Sequence, residues 1–202
     1  MAEIKTVGVV GAGQMGNGIA HVCALAGYNV ILNDISQAAL DAGLSTIEKN
    51  LGRQVSRDVI NVDQMKAAQS RVSTTVSLDP LGQVDLAIEA ATENREIKEK
   101  IFASLCEVVP AHAYLATNTS SISVTRLAST TDRPSKFIGL HFMNPVPLMK
   151  LMEIIRGLAT DQETYDMAKT FAERLGKTTT NAEDYPAFIV NRILVPMLNE
   201  AV

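Results

Sequence analysis

The chain has 202 residues, one domain of about 150 and a fraction more. Hydrophobic residues make up 47% and charged residues 20%, which excludes disorder as the main state, and a net charge of −4 leaves no basic excess for a nucleic-acid backbone. Two cysteines and three histidines are too few for a disulfide framework or a closed zinc site, and no apolar run reaches the roughly 20 residues of a membrane helix.

The N-terminus MAEIKTVGVVGAG lacks a signal-peptide layout, because its apolar run is short and leads into a glycine turn. The expectation is a cytoplasmic protein with neither a membrane nor a nucleic-acid partner.

Residues 7–10 (VGVV) read as a buried strand. Met15, Ile19, Val22, Cys23 and Ala26 recur at helical spacing, and Gly27 closes that helix. Residues 29–33 form a second strand. Ser36 then caps a helix striped by Leu40, Leu44, Ile47 and Leu51. Residues 52–71 predict a second, more polar helical piece. Strands are predicted at 84–90, 114–117, 137–142 and 149–155. Asn94 caps a helix whose inward face is read as Ile97, Ile101 and Leu105. Thr160 and Glu163 read as a capping box before a helix with Ala168, Phe171, Ala172 and Leu175 inward and Gly176 at its end. Strands alternating with helices at this spacing imply βαβ units and a mostly parallel sheet.

Tyr185-Pro186 reads as a break, and 188–202 as a new helix, apolar around most of its circumference. Such a helix needs a burying partner, expected outside this sequence. Left uncovered, it predicts self-association.

Residues 11–16 spell G-x-G-x-x-G. With 12 glycines in 202 residues, chance alone gives one match about 4% of the time, so the motif is weak by itself. Its context is specific: it follows a strand and opens a helix. Gly11 permits the tight turn, Gly13 lets a pyrophosphate approach, and Gly16 lets helix and strand pack, with Gln14 and Met15 starting the helix. Asp34 directly follows the second strand, where a carboxylate accepts the ribose hydroxyls and repels a 2′-phosphate. Together these point to a Rossmann-type doubly wound α/β domain binding NAD rather than NADP. Flavin domains share the loop and remain the alternative.

In such a sheet, ligands bind beyond the carboxyl ends of the strands. Glu89, Glu93, Asn118, Ser120, His141 and Asn144 all lie at or just beyond the ends of predicted strands. His141 read alone also fits a structural role. Glu153, twelve residues on and amid apolar neighbours, changes that balance, since a buried carboxylate needs a partner. If the Pro145–Pro147 loop folds the two strands side by side, Glu153 meets His141, fixes its tautomer and leaves the other nitrogen as a general acid/base.

Four stretches resemble the 3-hydroxyacyl-CoA dehydrogenase family: VGVVGAGQMGNGIA (7–20), IEAATEN (88–94), NTSSIS (118–123) with GLHFMNPVPLMKLMEII (139–155), and PAFIVNRILVPMLNEA (186–201). The resemblance implies an NAD-binding domain over 1–184 and, over 185–202, the first helix of an all-helical C-terminal domain. It implies interconversion of (S)-3-hydroxyacyl-CoA, with 3-hydroxybutyryl-CoA the expected substrate, and 3-oxoacyl-CoA. His141 resembles the catalytic base and Glu153 its orienting partner. Ser120 and Asn191 resemble the groups on the substrate's 3-oxygen. Asn144 resembles a support for the histidine and the thioester end. Glu93 and Lys98 resemble contacts to the nicotinamide half of the cofactor, and Asn118 is also expected to bind the cofactor. The helical segment after Ser36 resembles the part that helps hold CoA, and the C-terminal domain implies a homodimer.

Ala187 stands where the family usually has Gly. The family also continues for about another 80–100 residues of helical domain. An NAD-binding module without catalysis, and a dehydrogenase of a free hydroxy acid, therefore stay open as alternatives.

Overall fold

The computed structural model describes residues 3–202. Eight strands form one sheet in the order β3-β2-β1-β4-β5-β6-β7-β8. They are β1 Thr6–Val10, β2 Asn29–Asn33, β3 Val72–Thr75, β4 Leu86–Glu89, β5 Tyr114–Thr117, β6 Phe137–Phe142, β7 Leu151–Arg156 and β8 Thr178–Glu183. Neighbouring strands are parallel except for the antiparallel β6–β7 pair.

The central strands are apolar on both faces because helices cover both. Val7, Val9, Val30, Leu32, Leu86 and Ile88 point to one side, where they pack with Ile19 of α1 (Gln14–Leu25), Leu40 and Leu51 of α2 (Gln37–Ser56), Ala68 of α3 (Val62–Ser70) and Phe171 of α6 (Gln162–Arg174). Val10, Ile31 and Ala87 point to the other, against Phe102 and Leu105 of α4 (Arg95–Val108) and Val124 and Leu127 of α5 (Val124–Ala128). Burying each large apolar side chain stabilises by about 1.5–3 kcal/mol. Strand order reverses between β1 and β4, so a crevice opens beyond their carboxyl ends. The fold is a Rossmann-type, mostly parallel α/β sheet. Among the described residues, no helix is long and apolar enough to cross a membrane.

Several sequence expectations need correction. Strands β3 (VSTT) and β8 (TTTNAE) were not anticipated. Both are sheet edges with half-exposed faces, so neither carries an apolar run. The helical piece at 52–71 divides: α2 runs on to Ser56, and α3 begins at Val62 with an Asn61–Gln64 capping box across its first turn. Asp161, not Thr160, caps α6 by accepting from Thr164 N at 2.7 Å. Thr160 instead donates to Phe137 O at 2.7 Å and accepts from Gly157 N at 2.9 Å, tying the end of β7 to β6. On α4 the buried face is Lys98, Phe102 and Leu105, while Ile97 stands exposed.

The helix expected at 188–202 is α7, Val190–Glu200. It starts later because Ala187 (φ 68°) and Phe188 (φ 51°) are left-handed, and the Phe188 ring is buried in the sheet domain. Ile193, Leu194, Val195, Met197 and Leu198 of α7 are exposed.

A Cβ in the left-handed region costs roughly 1–2 kcal/mol, partly offset by the extra chain entropy a glycine loses on folding. Ala187→Gly is therefore expected to stabilise the protein by about 0.5–1 kcal/mol. The denaturation midpoint in urea checks this: a lower midpoint for the variant removes the strain from the account.

Candidate active site

The glycine turn joins β1 to α1. Gly11 has φ 100°, and a Cβ there would stand 2.7 Å from Ala90 O. A Cβ on Gly16 would fall 1.7 Å from Gly11 O, so the close crossing of helix and turn admits only glycine. Gly13 is different: nothing lies within 4 Å of where its Cβ would be. No protein packing demands that glycine. The open space above it, together with an α1 N-terminus that no side chain caps, suits an anionic pyrophosphate.

Asp34 Oδ2 accepts from Ala12 N at 2.8 Å and Oδ1 from Ser36 N at 3.0 Å. The carboxylate thus braces the turn as well as facing the groove. This cleft of about 750 Å³ is lined by Gly13, Gln14, Met15 and Asp34, and across from them by Ile97 and Lys100 of α4. Sequence reasoning missed that wall. Ile97 and Ile101 read as core because apolar periodicity does not distinguish burial by protein from burial by a ligand.

The second constellation lies further along the sheet. The antiparallel register sets His141 directly opposite Glu153. His141 Nδ1 stands 2.6 Å from Glu153 Oε2, which leaves Nε2 as the nitrogen for proton exchange. Glu153 is fully buried, and its other oxygen accepts from Ile189 N at 3.0 Å and Val190 N at 2.9 Å. One carboxylate therefore orients the imidazole and receives the first amides of α7. Burial pushes the Glu153 carboxyl up, but the His141 hydrogen bond and the Val190 and Ile189 amides outweigh it and hold it below the ordinary range. The Phe188 ring stands edge-on to the imidazole at 5.9 Å. Lys177 Nζ donates to Val146 O at 2.6 Å and Met149 O at 2.7 Å, bracing the turn between β6 and β7.

Glu93 gathers the β5 side of the site. Its Oε1 accepts from the Thr119 hydroxyl at 2.6 Å, from Ser120 N at 2.9 Å and Ser121 N at 3.1 Å, and from the Ser121 and Ser120 hydroxyls at 2.9 Å and 3.2 Å. Burial raises the Glu93 carboxyl, yet the Thr119 hydrogen bond and the Lys98 charge prevail and keep it low. Asn118 Oδ1 accepts from Phe142 N at 2.9 Å, joining the ends of β5 and β6. Asn191 Nδ2 donates to Ser120 O at 3.2 Å, so α7 reaches the same turn.

Two expectations change. Lys98 is 1% exposed and paired with Glu89 at 2.6 Å, so it is sealed inside the fold rather than lining the cleft. Asn144 is exposed in the β6–β7 turn, beside a cis bond to Pro145, and makes no hydrogen bond to His141 among the described residues.

Residues 6–185 match the family model for the 3-hydroxyacyl-CoA dehydrogenase NAD binding domain. The chain belongs to the 3-hydroxyacyl-CoA dehydrogenase family. It is 57% identical over 201 residues to a 3-hydroxybutyryl-CoA dehydrogenase of Bradyrhizobium diazoefficiens, covering all of this chain and 69% of that protein. A probable 3-hydroxybutyryl-CoA dehydrogenase of Bacillus subtilis is 44% identical over 200 residues, covering 99% of this chain and 70% of that one. Among solved structures, (S)-3-hydroxybutyryl-CoA dehydrogenase from Ralstonia eutropha superposes with a TM-score of 0.96 at 45% identity, over 98% of this chain and 70% of its own. The cofactor of this 3-hydroxyacyl-CoA dehydrogenase domain is NAD, and the open Gly13 cradle and Asp34 fit it.

Proposed function

We propose that this protein interconverts (S)-3-hydroxyacyl-CoA and 3-oxoacyl-CoA with NAD(H), 3-hydroxybutyryl-CoA being the preferred substrate. The observation that carries the reading is the 2.6 Å His141–Glu153 pair at the carboxyl end of β6, on the same sheet rim as the glycine cradle. Bound NAD would supply the acceptor for the hydride at C3 of the hydroxyacyl group, and NADH the donor in reverse.

The chain's own groups manage the proton. His141 Nε2 removes the 3-hydroxyl proton, and Glu153 stabilises the imidazolium that forms. Ser120 and Asn191 polarise the 3-oxygen as it gains carbonyl character. The Ser120 hydroxyl, held by Glu93, shares its donor with the substrate by rotating about its C–O bond. Asn144, exposed at the rim, faces the thioester end, and α2 with α3 contributes to holding CoA. Gly11, Gly13, Gln14, Met15, Gly16, Asp34, Glu93 and Asn118 would hold the cofactor, with Lys98 acting through its pair with Glu93.

Residues 1–184 form the NAD-binding domain, and 185–202 begin a helical second domain. The exposed apolar face of α7 supports a homodimer built through that second domain. Two unpaired cysteines support a reducing, cytoplasmic setting.

The test is a substrate panel read by NADH absorbance. Acetoacetyl-CoA consumes NADH and free acetoacetate does not. Equal use of the free acid instead assigns the protein to hydroxy-acid oxidation. NADH binding without turnover of either marks a binding module.

A further inference from the structure

At the carboxyl end of β4 lies a charge cluster that the proton chemistry above does not use. Glu89 closes β4 and is fully buried. It accepts from Lys98 Nζ at 2.6 and 2.8 Å, from the Thr117 hydroxyl at 2.8 Å and from Ala91 N at 2.7 Å. Lys98 Nζ also stands 3.5 Å from Glu93 Oε2. Two carboxylates therefore share one ammonium. The uncancelled charge is expressed at Glu93, whose side chain is 38% exposed while Glu89 and Lys98 are sealed. Five donors on Oε1 hold Glu93 in place, so this charge does not wander.

A buried ion pair is a poor way to add stability, since apolar side chains of similar volume do as well or better. This pair does something apolar side chains cannot. Without Glu89, Lys98 would neutralise Glu93. With it, one net negative charge persists at Glu93, against the Ser120 turn.

The position of that charge follows from the sheet. Asp34, at the end of β2, marks the adenosine side, and the glycine turn after β1 marks the pyrophosphate. A dinucleotide laid across the switch point then has its nicotinamide end beyond β4 and β5, where Glu93 bonds the Ser120 turn. The two redox forms of the cofactor differ there by one charge: the ring is a cation when oxidised and neutral when reduced.

We infer that the Glu89–Lys98–Glu93 triad biases the redox preference of the site, shifting the balance of binding toward the oxidised dinucleotide through a fixed net charge. The inference rests on the proposed NAD-dependent function. Glu89 is a positioning residue in this scheme, for it touches neither cofactor nor substrate. At partly screened distances, removing one such charge changes the preference by roughly three- to tenfold.

Direct binding tests this without turnover. The dissociation constants of NADH, by fluorescence titration, and of NAD+, by competition, are measured for the wild type, Glu93→Gln and Glu89→Gln. The ratio Kd(NADH)/Kd(NAD+) is expected to fall by about three- to tenfold in both variants. A loss of packing would weaken both ligands together and cancel in the ratio. An unchanged ratio in Glu93→Gln overturns the inference and leaves the proposed function intact, and that half-exposed position keeps the test decisive even if Glu89→Gln does not fold. A wild type that binds neither nucleotide overturns both.

Discussion

Replacing His141 by Gln is expected to lower turnover of acetoacetyl-CoA by about 10²–10⁴-fold, the usual worth of general acid–base help. The substitution keeps a polar side chain of similar reach but removes the titratable nitrogen. The fold should tolerate it. Glu153 retains the Ile189 and Val190 amides as donors, so the buried carboxylate is not left without partners. The expected signature is a fall in kcat with little change in NADH affinity. Turnover at the wild-type level in that variant would remove His141 from the mechanism. A matching loss of NADH binding would show that the effect is structural.

The second large effect separates two glycines of one turn. Gly16→Ala drives a Cβ to 1.7 Å from Gly11 O, far inside contact, so the turn and α1 must separate. The expectation is a loss of several kcal/mol of stability, at the severe end for a buried overpacking change, and loss of dinucleotide binding with it. Gly13→Ala meets no protein atom within 4 Å and should leave the thermal midpoint nearly unchanged. Its methyl group instead fills the space through which the pyrophosphate approaches, weakening NAD(H) binding by tenfold or more, roughly the 1.4 kcal/mol that one lost close contact represents. Thermal denaturation beside NADH titration reads both. A Gly13→Ala protein that binds normally would move the pyrophosphate elsewhere.

How much of this was legible depends on which physical signal each residue sends. Val7–Val10, the glycine turn and Asp34 sit within a short span of sequence, so spacing alone places them together. The His141–Glu153 meeting needed one long-range assumption, that Pro145 to Pro147 turns the chain back on itself, and the antiparallel register supplies it.

The unread parts are those whose signal is non-local. β3 and β8 are made strands by their neighbours rather than by their threonine-rich sequences. Lys98 occupies a helix face that its charge argues should be wet, and Glu89, nine residues earlier on β4, with Glu93 makes that burial tolerable. Phe188 reads as the first residue of an apolar helix, yet a left-handed backbone turns its ring under His141. Glu93 looks like a solvated charge in a loop, and its five donors come from residues 26 to 28 positions later. In each case the sequence shows the group and the fold supplies its partner.

The central claim is that one sheet rim carries hydride and proton to the same carbon–oxygen bond. Incubating the protein with acetoacetyl-CoA and NADH carrying deuterium at both nicotinamide C4 positions, then locating the label in the product by mass spectrometry, tests it most directly. The account predicts 3-hydroxybutyryl-CoA with deuterium on C3. A product without label at C3, or no product at all, would contradict it.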